Sequence, residues 1–291
     1  MNNRARANAL LSVTILLFLA SSASALEWPV AEVKIRSLFG QRDESRIGRG
    51  VILDDADIVR AAGNGTRVVT VSGGRNMAGF PSTLGNAVII AHDDGLMTVY
   101  GNLESPERFT AHDAIETGNI LGKAGSSGWA TPGDLLFQVL DRERKTVLNP
   151  SLVLPARADS RGPAIRNVVA VSPSGQPSVL GSAKYVRQGQ YRVYAEVTDT
   201  IDGSNAALAP FRVSVVVNGS EAIAVPFEVL RAEGGKLFLD SPELTAANFY
   251  GDPERMYLGS VTLNRGRADI AIIARDSNGN ERSVQFSLQI E

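Results

Sequence analysis

Apolar and polar residues alternate in steps of two along most of this chain. Runs of this kind lie at Arg67–Val71, Ala87–Ala91, Leu96–Tyr100 and Leu135–Leu140, and again at Tyr191–Val197, Phe211–Val217, Ala268–Ala274 and Ser283–Ile290. Successive side chains of an extended strand point to opposite faces, so this period marks strands with one buried face. Clusters of Gly, Pro, Asn and Asp separate the runs, as turns do. Helical spacing sustained over a dozen residues is confined to the N-terminus. The chain is therefore expected to be all-β.

Turn chemistry divides it further. Val217-Asn218-Gly219 and Ser277-Asn278-Gly279-Asn280 both carry Asn-Gly, the pair that suits a two-residue type I′ hairpin. Short strands at regular spacing predict a β-sandwich of the Ig-like kind for residues 164–291. Residues 155–163 are polar and rich in breakers, which reads as a linker over 156–163 and a separate domain over 26–155.

The first 25 residues have a different character. Arg4 and Arg6 precede an apolar run from Ala9 to Ala20, and Ala23-Ser24-Ala25 supplies small residues for cleavage. This pattern predicts a secretory signal peptide over 1–25. The run is shorter than the roughly 20 residues that a membrane span needs, and no later segment approaches that length. There is no cysteine, so an exported chain must rely on a hydrophobic core rather than disulfides. The charges nearly balance, at 29 Lys and Arg against 31 Asp and Glu. No basic stripe with interleaved aromatics is present, so nucleic acid is not an expected partner.

Candidate chemistry lies in an ordered series of motifs in the first half. Phe39-Gly40-Gln41-Arg42 is followed by Gly50, Gly65-Thr66-Arg67-Val68 and the run Gly85 to His92. Asp94 to Leu103 comes next, with Tyr100-Gly101-Asn102 inside it. Gly118-Asn119-Ile120-Leu121-Gly122, Gly125-Ser126-Ser127-Gly128, Leu135 to Val139 and Asn149-Pro150 complete the series. In this order and spacing, residues 36–155 resemble the lysostaphin/LytM-type peptidoglycan endopeptidases.

The resemblance implies an antiparallel β core of the duplicated hybrid-motif kind. In active relatives a groove on that core holds one zinc, bound by a His-x-x-x-Asp motif and by the second histidine of a His-x-His motif; two further histidines assist catalysis. Neutral imidazole and carboxylate bind zinc well, and an open fourth position activates water. Carried onto this sequence, the first motif falls on Gly48 to Ile52, with Gly48 at the histidine and Ile52 at the aspartate. The second falls on Asp134-Leu135-Leu136, with Leu136 at the ligand and Asp134 at a catalytic histidine. The remaining helper falls on Asn102. The chain has only two histidines, His92 and His112, too few for the four histidine positions.

These substitutions predict a protein with no catalytic residues, no metal and no cofactor. The resemblance then implies a binding, regulatory or scaffolding role in the periplasm or cell envelope, which includes regulation of cell-wall hydrolysis. The partner would be an envelope protein or a peptidoglycan peptide, held in a groove near Gly48, Ile52, Asn102, Asp134 and Leu136, with His92 and Tyr100 as further groove residues. Two alternatives stand beside it. One is a structural part of an envelope complex. The other is an active metallopeptidase with an unorthodox metal site built from His92, Asp134 and the Asp54–Asp57 cluster.

Other segments read more simply. Asp54, Asp55 and Asp57 suit a solvated turn, and His112 a surface loop. Asp276 to Asn280 faintly resembles a calcium loop, but its glycine comes before the third ligand position, and a hairpin turn explains it better. Asn64-Gly65-Thr66 and Asn218-Gly219-Ser220 are formal glycosylation sequons that read as turns.

Overall fold

The computed structural model describes residues 26–43, 46–72, 82–106, 113–128 and 130–291. The expected signal peptide and His112 lie outside the described residues. Strands dominate among the described residues, with one 3-10 turn at Pro150–Leu152 and one short α-helix at Ala246–Phe249. Every strand read from the alternation is present. Leu135–Asp141 illustrates why: Leu135, Phe137 and Val139 are fully buried while Leu136 and Leu140 on the other face are partly open. Among the described residues no helix is long and apolar enough to cross a membrane.

The first half is built on a twelve-stranded sheet. Leu135–Asp141 lies between Thr146–Leu148 and Leu96–Pro106, and Asn86–Ala91 and Gly65–Val71 follow in order. Val51–Leu53 pairs with the start of Leu135–Asp141 and also with Ile35–Ser37. All these pairings are antiparallel. Val51, Leu53, Tyr100, Leu103, Leu121 and Phe137 fill the core beneath, with the Tyr100 and Phe137 rings 5.4 Å apart.

The second half forms two facing sheets. One orders Pro177–Val179, Ala164–Val171, Gly189–Thr198 and Met256–Leu263; the other orders Tyr185–Val186, Glu281–Ile290, Gly266–Arg275, Arg212–Val217 and Ser220–Pro226. Alternate residues such as Val193, Ala195, Val213, Val215, Ile270 and Ile272 pack between them.

Two features depart from the sequence reading. The hairpin Val229–Glu233 and Lys236–Leu239 lies in the stretch expected to be sandwich, yet it pairs with Thr146–Leu148 and extends the first sheet. In return, Phe39 and Ile47 of the first half sit in the core of the second. Short apolar alternation says that a strand has a buried face but not which sheet will cover it.

The second departure concerns turns. Asn218 and Gly219 both have positive φ, at 51° and 81°, as a type I′ turn requires. At the other Asn-Gly only Gly279 does, at 91°. Arg275 pairs with Glu281, so this loop spans five residues rather than two. The Asp276 carboxylate holds it by accepting from the amides of Asn278 and Asn280 at 2.9 and 2.8 Å.

Candidate functional site

A cleft of about 460 Å³ opens beside the start of Leu135–Asp141. Gly48, Ile52, Asn102, Asp134 and Leu136 all line it. Strand register brings them there. Leu136 is paired with Ile52 on one side and with Gly101 on the other. Directly opposed residues share a face, so Ile52 and Leu136 make a continuous aliphatic floor. Gly101 keeps that floor low: a Cβ there would lie 3.0 Å from the Leu84 carbonyl and 3.4 Å from Leu136 Cβ.

Asp134 and Asn102 are committed to the scaffold. Asp134 is buried, and both its oxygens accept from Nη1 of Arg36 at 2.8 Å. Its Oδ2 also accepts from the Thr131 amide at 3.2 Å. Asn102 adopts φ 66°, a left-handed conformation that Asn tolerates better than most residues. Its side-chain amide donates to the Ser127 carbonyl at 2.9 Å. This holds the Gly125–Gly128 turn, where the Ser127 hydroxyl donates to the Leu103 carbonyl at 2.6 Å.

The rim is basic. Arg36, Arg42, Arg46 and Arg49 all line the cleft. Arg42 reaches across to the carbonyls of Tyr250, Asp252 and Pro253 and sits over the Tyr250 ring. Arg49 is exposed. Arg46, Ile47 and Arg49 also line a neighbouring cleft of about 470 Å³ that includes Lys236, Thr245 and Asn248. None of these arginines was expected among the groove residues, although Arg42 belongs to the opening Phe39-Gly40-Gln41-Arg42 motif. Their pattern, Arg-x-x-x-Arg-x-x-Arg from Arg42 to Arg49, was legible, but nothing in it said that Arg36 and Lys236 would join them.

His92 and Tyr100, expected as groove residues, are not among those lining the cleft. His92 is buried, with Nδ1 2.7 Å from the Asn64 carbonyl and Nε2 2.9 Å from the Thr98 hydroxyl. A carbonyl only accepts, so Nδ1 carries the proton. Thr98 lies 3.0 Å from the Tyr100 hydroxyl, which accepts from the Ala62 amide at 2.7 Å. Burial pushes the Tyr100 phenol up to about 12. Both side chains belong to an internal network: Tyr100 faces the core from its strand, and His92, just past the end of Asn86–Ala91, is buried beside it.

The acidic cluster near the first motif is also accounted for. Asp55 pairs with Lys34 at 3.0 Å and Asp57 with Lys123 at 3.8 Å, all largely exposed. Asp54 accepts from the Asp55 amide at 2.9 Å. Among the described residues, His92, Asp134 and Asp54–Asp57 do not come together as a set of metal ligands.

A sequence model described as "Peptidase family M23" matches residues 54–150, and a second family model matches residues 162–291. An uncharacterized protein of Treponema pallidum (strain Nichols) is 43% identical over 124 residues, which is 39% of this chain and 84% of the relative. Among solved structures, a chain of the SpoIIQ-SpoIIIAH pore forming complex is similar, with 20% identity and TM-score 0.38 over 46% of this chain and 92% of that one. A mutant catalytic domain of the prophage-encoded M23 protein EnpA from Enterococcus faecalis is similar as well. It is 21% identical with TM-score 0.37, covering 43% of this chain and 95% of that one.

Proposed function

The chain belongs to peptidase family M23, and from that premise we propose that its groove is a non-catalytic docking cleft of an exported envelope protein. The observation that carries this reading is the chemistry of the five groove positions. Two are aliphatic, one is glycine, one is an amide engaged with a turn, and one is a carboxylate held by arginine.

That donor set does not fit zinc. A zinc site draws on imidazole, thiolate or carboxylate, usually three or four together. Asp134 is the one such group among the five, and a guanidinium already occupies both its oxygens. A cation placed beside Asp134 would meet Arg36 at close range, where like charges repel strongly. The residues in the groove therefore have no means to polarise a peptide carbonyl or activate water in the family's manner.

The same groove suits binding. Its aliphatic floor favours an apolar side chain, and its arginine rim favours carboxylate. A short extended peptide bearing both, from a cell-wall stem or an acidic envelope partner, matches that pair of features. A regulatory role in cell-wall hydrolysis follows if the bound segment belongs to a hydrolase. A purely structural role in an envelope complex is the second reading, favoured by the strand pairing that runs from the first half into Val229–Leu239.

The test uses the chain without residues 1–25. Zinc content, release of soluble fragments from purified peptidoglycan, and co-sedimentation with the same material are measured on one sample. The expected result is no stoichiometric zinc, no release, and sedimentation that Leu136→Asp or Arg49→Glu weakens. Stoichiometric zinc with release blocked by a chelator overturns the proposal. Sedimentation unchanged in both variants leaves the structural reading as the better one.

A further inference from the structure

We propose that the carboxylates of Asp159, Asp199 and Asp276 form a site for a hard divalent cation, calcium before magnesium, that fastens the segment joining the two halves to the sandwich. The three come from separate places: the joining segment, the residue after Gly189–Thr198, and the loop after Gly266–Arg275. Each offers an oxygen, and these atoms all lie within 4.8 Å of one another. Among the described residues no Lys, Arg or His forms an ion pair with any of them; nearby Arg161 pairs with Asp202 instead.

A second observation distinguishes this cluster from the exposed acidic turns elsewhere. Asp199 is 4% exposed, and its Oδ1 is buried with no hydrogen-bond partner. A buried carboxylate oxygen without a partner is costly, and buried charges are normally paired or bound to metal. Burial, with the charges of Asp276 and Asp159, pushes the Asp199 carboxyl up to about 7. A bound cation reverses both effects at once.

The surroundings are pre-organised. Asp276 is fixed by its loop amides and by Asn280, whose side chain donates to Asp276 Oδ2 at 2.7 Å and to the Asp159 carbonyl at 3.0 Å. Asp159 Oδ1 accepts from the amides of Arg161 and Asp202. A cavity of about 50 Å³ reaches Asp159, Asp199 and Asn278; Arg157 lines it too, with its Nη1 donating to the Val33 carbonyl, and Asp276 lies outside its lining. A volume of that size holds a few water molecules, at about 15 Å³ each. Calcium takes six to eight oxygens in flexible geometry, so three carboxylates completed by water suit it; magnesium demands a stricter octahedron and sheds water reluctantly.

The experiment takes the chain without residues 1–25, stripped with chelator and dialysed, and titrates calcium chloride by calorimetry while a parallel sample is heated. The expected result is one binding event per chain, with Kd of about 10⁻⁴ to 10⁻³ M as in extracellular modules, and a rise in Tm with calcium. Asp199→Asn is the informative variant, because Asp276 also holds its loop and its loss would confound folding. Asp199→Asn is expected to fold with a metal-free Tm at or above that of the parent, to lose the binding event, and to lose the calcium-dependent rise. No heat and no shift at about 10 mM calcium, ten times the weak end of that range, would overturn the proposal. So would an Asp199→Asn variant that binds calcium as the parent does.

Discussion

Nη1 of Arg36 lies 2.8 Å from both carboxylate oxygens of Asp134. The two residues sit on the cleft wall, one on the Ile35–Ser37 strand and one just before the Leu135–Asp141 strand. Asp134 is 6% exposed at its side chain and Arg36 is 42% exposed. The pair therefore joins a buried anion to a solvated cation.

That asymmetry sets the cost of breaking it. Arg36→Ala leaves the buried carboxylate with the Thr131 amide alone and is expected to cost about 1–2 kcal/mol, the low end for hydrogen bonds to charged groups, because the open side of the guanidinium is screened. Arg36→Lys returns a single charged nitrogen, which is what the contact uses, on a more strongly hydrated head, and should recover part of the loss. Urea unfolding of the three proteins measures this. An Arg36→Ala variant as stable as the parent would mean that the contact contributes nothing.

The groove positions can be tested by returning the family's ligand types to them. Gly48→His, Ile52→Asp and Leu136→His together should bring zinc to the cleft, because Leu136 stands directly opposite Ile52 and both face it. Adding Arg36→Ala should raise the zinc retained after dialysis by removing a nearby positive charge. Metal content by mass spectrometry reads the result. If neither variant retains zinc, the assignment of the three positions is wrong.

Much of this architecture was legible in the chain, and the parts that were not share a cause. The period of two located Leu135–Asp141 and Gly266–Arg275 because each strand's own residues record which face is buried. The ordered glycine motifs located the groove floor, since Gly50 and Gly101 stand where a Cβ would press on backbone. Arg36 and Asp134 could not be paired in advance, because nothing local to either marks the other. The same holds for Asp159, Asp199 and Asp276. His92 and Tyr100 misled because a polar residue on a strand, or just past its end, can face a groove or an internal network with the same sequence pattern. Only the neighbours, here Thr98, Asn64 and Ala62, decide which.

The Tyr100 phenol should leave a mark on alkaline stability. Its folded pKa of about 12 lies above the ordinary tyrosine value of 10.0. Between those values the unfolded chain gives up the proton while the folded chain keeps it. The unfolded state thus binds fewer protons, and stability falls as pH rises through this window. Below pH 10 the contribution is intact. The difference corresponds to an upper bound of about 3 kcal/mol. Tyr100→Phe should be less stable than the parent at neutral pH by about 1 kcal/mol, through loss of the bond to the Ala62 amide. It should then lose stability less steeply above pH 10. Parallel slopes in the two proteins would refute the assignment.

The joint between the two halves rests on the approach of Gly40 to Phe227. Gly40 has φ 78°, and a Cβ built on it would lie 2.4 Å from Phe227 Cδ1. Phe227 is fully buried in the second core beside Phe39 of the first half. Gly40→Ala therefore combines left-handed strain with overpacking and should cost about 2–4 kcal/mol. Phe227→Ala should cost about 3–5 kcal/mol through the cavity it leaves. The double variant separates packing from backbone strain. With Phe227 truncated, the methyl group added by Gly40→Ala enters space already vacated, so the two costs should fall short of additivity by at least about 1 kcal/mol. Because Phe39 and Ile47 are embedded in the second core, the parent should unfold in one transition. A double-mutant cycle from denaturant curves tests both statements. Additive costs would mean that Phe227 does not dictate glycine at position 40. Two transitions in the parent would mean that the shared core does not couple the halves.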